Sequence, residues 1–310
     1  MDGIALNGKS RMARAALLVL LAFFVLNAAQ RNSLRAADGD QEKPAEIELS
    51  WLTDYAEATE AAQMQSKMLL LFFHQKGQNK ARDAFEEKTL ANPEIRAKLS
   101  SYVLAKLPID AEIHIDGQST VLLKHSSFAE MLGRQGIVVI DYSNPQSKHY
   151  SHVVSTFPFN PGKYYSPIGM KVILNLPEGS LTQRTMIYAV RTHPERPAST
   201  KGEFNSVLAE EAESHSDHQA NIRVQGHHNW NNRFGRINRR LSGSAAAQEV
   251  VAESWPGQHL VEAAVECVHS WRQSPGHWSA VRGRHSRFGY DIKRGNNGIW
   301  YATGIFDKAR

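Results

Sequence analysis

The chain has 310 residues, 42% of them hydrophobic and 22% charged, a length that supports two ordinary domains and a balance that excludes a disordered polymer. Its formal net charge is +5, and Lys9, Arg11, Arg14, Arg31 and Arg35 lie in or beside an N-terminal segment with a separate purpose. Little excess is left to attract a nucleic acid, so no nucleic-acid partner is expected. The single cysteine, Cys267, rules out an intramolecular disulfide and dithiol chemistry.

Residues 1–37 read as a signal peptide or an N-terminal anchor. Lys9, Arg11 and Arg14 form a positive start, and Ala15 to Leu26 is an unbroken apolar run. A membrane span needs roughly 20 residues, so the run suits the apolar core of an export signal. Asn27-Ala28-Ala29 places asparagine where a small residue is preferred at cleavage, which keeps an uncleaved anchor open. Either way the remainder is expected to be secreted or periplasmic, free or membrane-anchored. Residues 38–48 are polar and read as a linker.

From Trp51 the pattern changes. Trp51, Tyr55, Ala58, Ala61 and Ala62 recur at helical spacing. Lys67 to Phe73 is a short continuous apolar run, as in a buried parallel strand. A charged helix follows with Phe85, Leu90, Ile95 and Leu99 on one side. Tyr102–Leu107 is a second strand, Phe128–Leu132 a short helix and Gly136–Asp141 a third strand. This alternation predicts a mixed α/β sheet. Its order resembles the thioredoxin fold, with a domain over 49–165. The resemblance implies a redox Cys pair in the loop His74–Arg82 and a cis-proline before the third strand. The loop has no cysteine, and Arg134-Gln135-Gly136 stands at the proline position. The expectation is therefore a non-redox domain, serving as scaffold or as a surface for a protein partner.

Phe157–Gly162 and Ser166-Pro167 are turn-rich and mark the junction. Lys171–Leu176 reads as a short strand ended by Pro177 and Gly179. Ser180 to Thr192 is a helix with Ser180 as N-cap and Pro194 just beyond. Phe204 to Ala220 is another, with Leu208, Ala212, His215 and Gln219 on one stripe; Glu203, Glu210, Glu211 and Glu213 are taken as its solvated face. Cys267 falls in an apolar helical pattern with Ala263, Ala264, Val268 and Trp271, and reads as a buried small hydrophobe.

The region 180–310 resembles the CAP superfamily, which contains cysteine-rich secretory proteins, antigen 5 and pathogenesis-related proteins. The motifs are Leu208-x3-Ala212-x2-His215-Ser216-x3-Ala220-x6-His227, then Gln248-Glu249-Val250-Val251-Ala252, then Val268-x2-Trp271-x2-Ser274-Pro275-Gly276-His277. Phe288-Gly289-Tyr290 and Gly298–Phe306 resemble its closing strands. The implied fold is a CAP-like α-β-α sandwich. Gln248 and Val250 depart from the family's Gly and Asn around Glu249. Ser274 stands where animal members carry a second glutamate, a gap that Glu266 or Glu253 would have to fill.

What the resemblance implies is a cleft lined by His227, Glu249 and His277. Two imidazoles and a carboxylate suit zinc with an open position, His227 and His277 being the metal candidates, or acid–base work near neutral pH. Plainer roles are available: His227 as a helix cap, Glu249 as a buried organising acceptor, His277 as part of a turn. His215, His218, His259, His269 and His285 read as surface or packing residues, and Trp271, Trp278 and Trp300 as core or cleft wall. Arg233, Arg236, Arg239, Arg240, Arg282, Arg284, Arg287, Lys293 and Arg294 read as solvated faces able to meet anionic lipid or envelope polymer. The leading expectation is a cleft that binds a small molecule, lipid or envelope component. The rival is a metal-assisted peptidase or esterase.

Overall fold

A computed structural model of the chain describes residues 48–115, 118–241 and 247–307; residues 1–37, expected to be a signal peptide or anchor, and nearly all of the expected linker lie outside them. Helix α1 (Tyr55–Gln65) starts at Asp54, whose carboxylate accepts from Glu57 N at 2.8 Å, and stops at Ser66 in the left-handed region. It buries Ala58 and Ala62. Strand β1 (Leu69–His74) then enters a four-stranded sheet, parallel to β2 (Val103–Pro108) and antiparallel to β5 (Gly136–Ile140), which pairs antiparallel with β6 (Val153–Pro158). The order is β2-β1-β5-β6. Both faces of β1 are buried: Leu70 and Phe72 join one apolar cluster, while Leu69, Leu71 and Phe73 join the other. That is why its sequence shows no polar alternation.

The charged helix expected between β1 and β2 is three pieces. Helix α2 (Lys80–Ala84) runs into a π-helical turn at Phe85–Leu90, and α3 (Pro93–Leu99) restarts after Asn92, whose side chain caps it. Between β2 and β5 lies a hairpin, β3 (Glu112–Ile115) and β4 (Gln118–Val121), that the apolar pattern did not signal. The segment read as a strand at 171–176 is instead helix α4 (Pro167–Leu174). Ser166 caps it, Pro167 sits in its first turn, and Met170, Ile173 and Leu174 bury one face. A six-residue segment with four apolar positions is too short to separate the two periods.

The second sheet has the order β7-β9-β10-β8: β7 (Glu203–Phe204), β8 (Ala247–Glu253), β9 (Arg287–Arg294) and β10 (Trp300–Asp307). Helix α6 (Ser206–Ile222) covers one face, where Leu208 and Ala212 meet Ile305. Helices α5 (Leu181–Thr192) and α8 (Leu260–Gln273) cover the other, where Cys267, Val268 and Trp271 share a cluster with Tyr290, Ala302 and Phe306. Ser180 and Gln183 form a reciprocal cap on α5. Helix α6 approaches so closely that a Cβ on Gly289 would lie 2.2 Å from Ala209 N. Cys267 is fully buried, and burial pushes its thiol pKa up, in keeping with a packing role.

The described residues form one compact unit, because α5 faces both sheets. Phe72, Phe85 and Phe157 of the first segment and Met186, Tyr188, Trp271 and Tyr290 of the second belong to one continuous core. Arg184 of α5 is 1% exposed. It donates from Nε to Ser155 Oγ (2.9 Å) and from Nη1 to Leu176 O (3.3 Å) and Pro177 O (2.7 Å). Glu130 reaches across to accept from Leu260 N at 3.1 Å, capping α8. No described helix is long and apolar enough to cross a membrane.

Candidate functional site

Helix α6 ends at Arg223 in the left-handed region, and the loop to α7 (Trp230–Arg240) is held from below. Gly226 N donates to Gln219 Oε1 at 3.0 Å, and His215 Nε2 donates to Gly226 O at 2.9 Å. His215 is a packing residue, as expected, with its pKa pushed down to about 4 by burial. The pinned Gly226 leaves His227 projecting into a cleft.

Glu249 stands on β8 with its side chain 1% exposed. Its Oε1 accepts from His227 Nδ1 at 2.9 Å and from Arg233 Nη1 at 3.2 Å, and Oε2 accepts from Arg233 Nη2. Burial is the largest influence on its pKa and acts upward. The bonds from His227 and Arg233 together outweigh it and hold the carboxyl below its usual range. His277 lies in the first turn of α9 (Pro275–Arg282), where Pro275-Gly276 re-aims the chain after α8. Burial, then the neighbouring His227, lowers its pKa. Its Nε2 is 3.3 Å from His227 Nε2.

The three residues thus meet, in a line rather than around a point. In a neutral His227 whose Nδ1–H donates to Glu249, Nε2 is the nitrogen with the lone pair, and it faces His277. Two imidazole nitrogens bound tetrahedrally to zinc at ~2.05 Å stand about 3.4 Å apart, so the observed spacing suits a metal between them. Glu249 fits the carboxylate behind a ligating histidine, not a ligand. Among the described residues no group of three or more His, Cys, Asp or Glu is placed to hold a metal; two imidazoles would leave the other positions to water or ligand.

The cleft measures about 820 Å³ and its lining includes Trp230, Gln248, Ser274, Ser279 and Arg284. Neither acidic substitute enters it: Glu266 accepts from Trp255 Nε1 at 3.0 Å, and Glu253 is exposed at the end of β8. Trp271, Trp278 and Trp300 are buried in the core and none of them lines the cleft, whose described tryptophan is Trp230. His285 is buried between Ala280 O (2.7 Å) and Asp307 O (2.9 Å). His218 and His269 are exposed and His259 half-buried.

Two readings of charge need correction. Arg233, expected on a solvated face, is 7% exposed and is the main partner of Glu249. Its position three residues after Trp230 and four before Ile237 puts it on the inner face of α7, a signal the sequence does carry. Glu211 is also buried, and accepts from Arg236 (3.0 Å) and Arg240 (2.8 Å); it follows Leu208 by one turn. Of the remaining cations, Arg287 pairs with Asp307 and Lys293 with Glu213, Arg294 lies over Trp300, and Arg282 and Arg284 are exposed.

No protein family and no curated protein matches the chain. Among solved structures, an outer surface protein from Borrelia burgdorferi is similar at 19% identity over 35% of this chain and 78% of that one, with a TM-score of 0.29. At that score neither fold nor function is carried across.

Proposed function

We propose that this is an exported protein, released by a signal peptide or held by an anchor, whose C-terminal CAP-like domain binds a small molecule, lipid or cell-envelope component in the His227–Glu249–His277 cleft. The observation that carries the reading is the 3.3 Å approach of the two Nε2 atoms, with Glu249 fixing His227 from behind. His227 and His277 would hold a divalent metal such as zinc. When bound, the metal supplies a Lewis-acidic position open to a ligand oxygen. Helices on both faces of the β7-β9-β10-β8 sheet support the CAP-like reading. The helix, strand and helix before β2, and the strand at Gly136, support a thioredoxin-like reading of the N-terminal part. There the loop after His74, lacking cysteine, leaves scaffolding or protein contact as its role.

Binding is favoured over hydrolysis by what Glu249 is doing. Both of its oxygens are engaged by Arg233 and His227 and its side chain is buried, so it offers the cleft no free base. No described serine is hydrogen-bonded to His227 or His277, so no activated hydroxyl nucleophile accompanies the imidazoles. Calorimetric titration of untagged protein with zinc is expected to show saturable binding that His277→Ala abolishes while the fold persists. Peptidase or esterase turnover lost in the same variant would replace this reading with the metal-assisted hydrolase.

A further inference from the structure

Among the described residues strand β8 is an edge of its sheet, and the ladder fixes which of its residues turn outward. Ser254 N donates to Trp300 O at 2.9 Å, so that register pair is a bonded one. Bonded pairs alternate along antiparallel strands; hence Ala252, Val250 and Gln248 bond β10, and the N–H and C=O of Glu249 point away. The other side agrees: Gly295 N donates to Ile299 O at 2.8 Å. By the same alternation Ile305, which faces Glu249, turns its main chain toward β9.

Glu249 is part-exposed as a residue although its side chain is 1% exposed. The surface it shows is therefore main chain, in the wall of the cleft. No described group hydrogen-bonds that outward pair. Val251, the next outward residue, is buried, so the free edge is short and centred on Glu249. A donor and an acceptor on one edge residue match a single residue of an extended peptide, which returns both bonds.

The charge at the mouth narrows the occupant. The Glu249 carboxylate is neutralised by Arg233. Arg284 lines the cleft, is exposed, and has no ion pair among the described residues. The other titratable side chains there are His227, His277 and the buried His285. From these observations we infer that the cleft's ligand is an extended acidic peptide segment, paired through its backbone with Glu249 and offering a carboxylate to Arg284 and the imidazole pair. This rests on the binding reading above and names the ligand's class.

The probe is a labelled, end-capped heptapeptide of alternating valine and glutamate, followed by fluorescence anisotropy on the full chain, with zinc titrated into the same sample. Three relatives accompany it: one N-methylated on every valine, one on every glutamate, and one with lysine for glutamate. Strand pairing reads one face of the ligand backbone. One N-methylated peptide should lose at least tenfold in affinity while the other keeps the parent value. The lysine peptide and the Arg284→Glu variant should each lose at least tenfold, and the Glu249 amide should exchange more slowly when the parent is bound. Equal binding or equal loss of the two N-methylated peptides overturns the inference. So does a concentration-dependent dimer that protects the Glu249 amide without peptide, because a second copy would then own the edge. Zinc binding without peptide binding overturns the inference and leaves the cleft reading intact, whereas failure of both removes that reading too.

Discussion

Arg233 is the residue on which the site's electrostatics turn. A carboxylate as buried as Glu249 stays ionised only if its charge is answered nearby. Replacing the guanidinium with an apolar side chain, Arg233→Met, is expected to cost about 3–5 kcal/mol by urea denaturation, and Arg233→Lys less, since charge survives but the two-pronged contact does not. His215 sets a separate pH dependence. Its folded pKa of about 4 lies below its ordinary 6.5, so the unfolded chain takes up the proton first. Its contribution is intact above pH 6.5 and is lost as pH falls from 6.5 toward 4. Stability measured at intervals from pH 7.5 to 4.5 should decline, and His215→Gln should flatten the part of the slope between 6.5 and 5. At this scale the sequence singled out His227, Glu249 and His277 by their motif spacing, and these three side chains do meet in one cleft. It was misleading about Arg233 and Glu211: a charged residue is ordinarily solvated, and only its helical phase says otherwise.

Among elements, the contact between α6 and β9 is the tightest. A Cβ at Gly289 would meet main-chain atoms of Leu208 and Ala209 at 2.3 and 2.2 Å, and backbone cannot swing aside as a long side chain can. Gly289→Ala should therefore lower stability by about 1–3 kcal/mol and loosen α6, which thermal melts and amide exchange along α6 would register. Strands β1, β2 and β5 and helices α1, α5, α6 and α8 were legible from their patterning, whereas β9 and β10 were expected only from the resemblance of their segments to closing strands. Helix α4 was not, since its apolar run fits either period until Ser166 and Pro167 are read as a start signal. The β3–β4 hairpin carries almost no apolar alternation, and the π-turn at Phe85–Leu90 leaves the side-chain pattern of an ordinary helix nearly unchanged.

For the molecule as a whole, Arg184 and the shared core decide cooperativity. Among the described residues the guanidinium is hydrogen-bonded only to a hydroxyl and two carbonyls, its Nη2 has no such partner, and burial lowers its pKa to about 10. It joins β6, the turn before α5, and α5 itself. Thermal unfolding should be a single transition when followed separately at Trp51 and at Trp271, and Arg184→Ala should lower both midpoints together by several degrees. Two midpoints that part company in the variant would show that the segments hold independent cores. Sequence could not disclose this union. A helix apolar enough to serve two sheets looks the same, residue by residue, as one serving a single sheet.

Glu130 at the start of α8 has a wider meaning. That helix leads directly into α9, and α9 carries His277, so a carboxylate from the N-terminal segment helps set where the second imidazole stands. The cleft belongs to the last third of the chain, yet its alignment is borrowed from residues far upstream. A fragment beginning at residue 180 would retain every cleft side chain and still lack one of the braces that aims them.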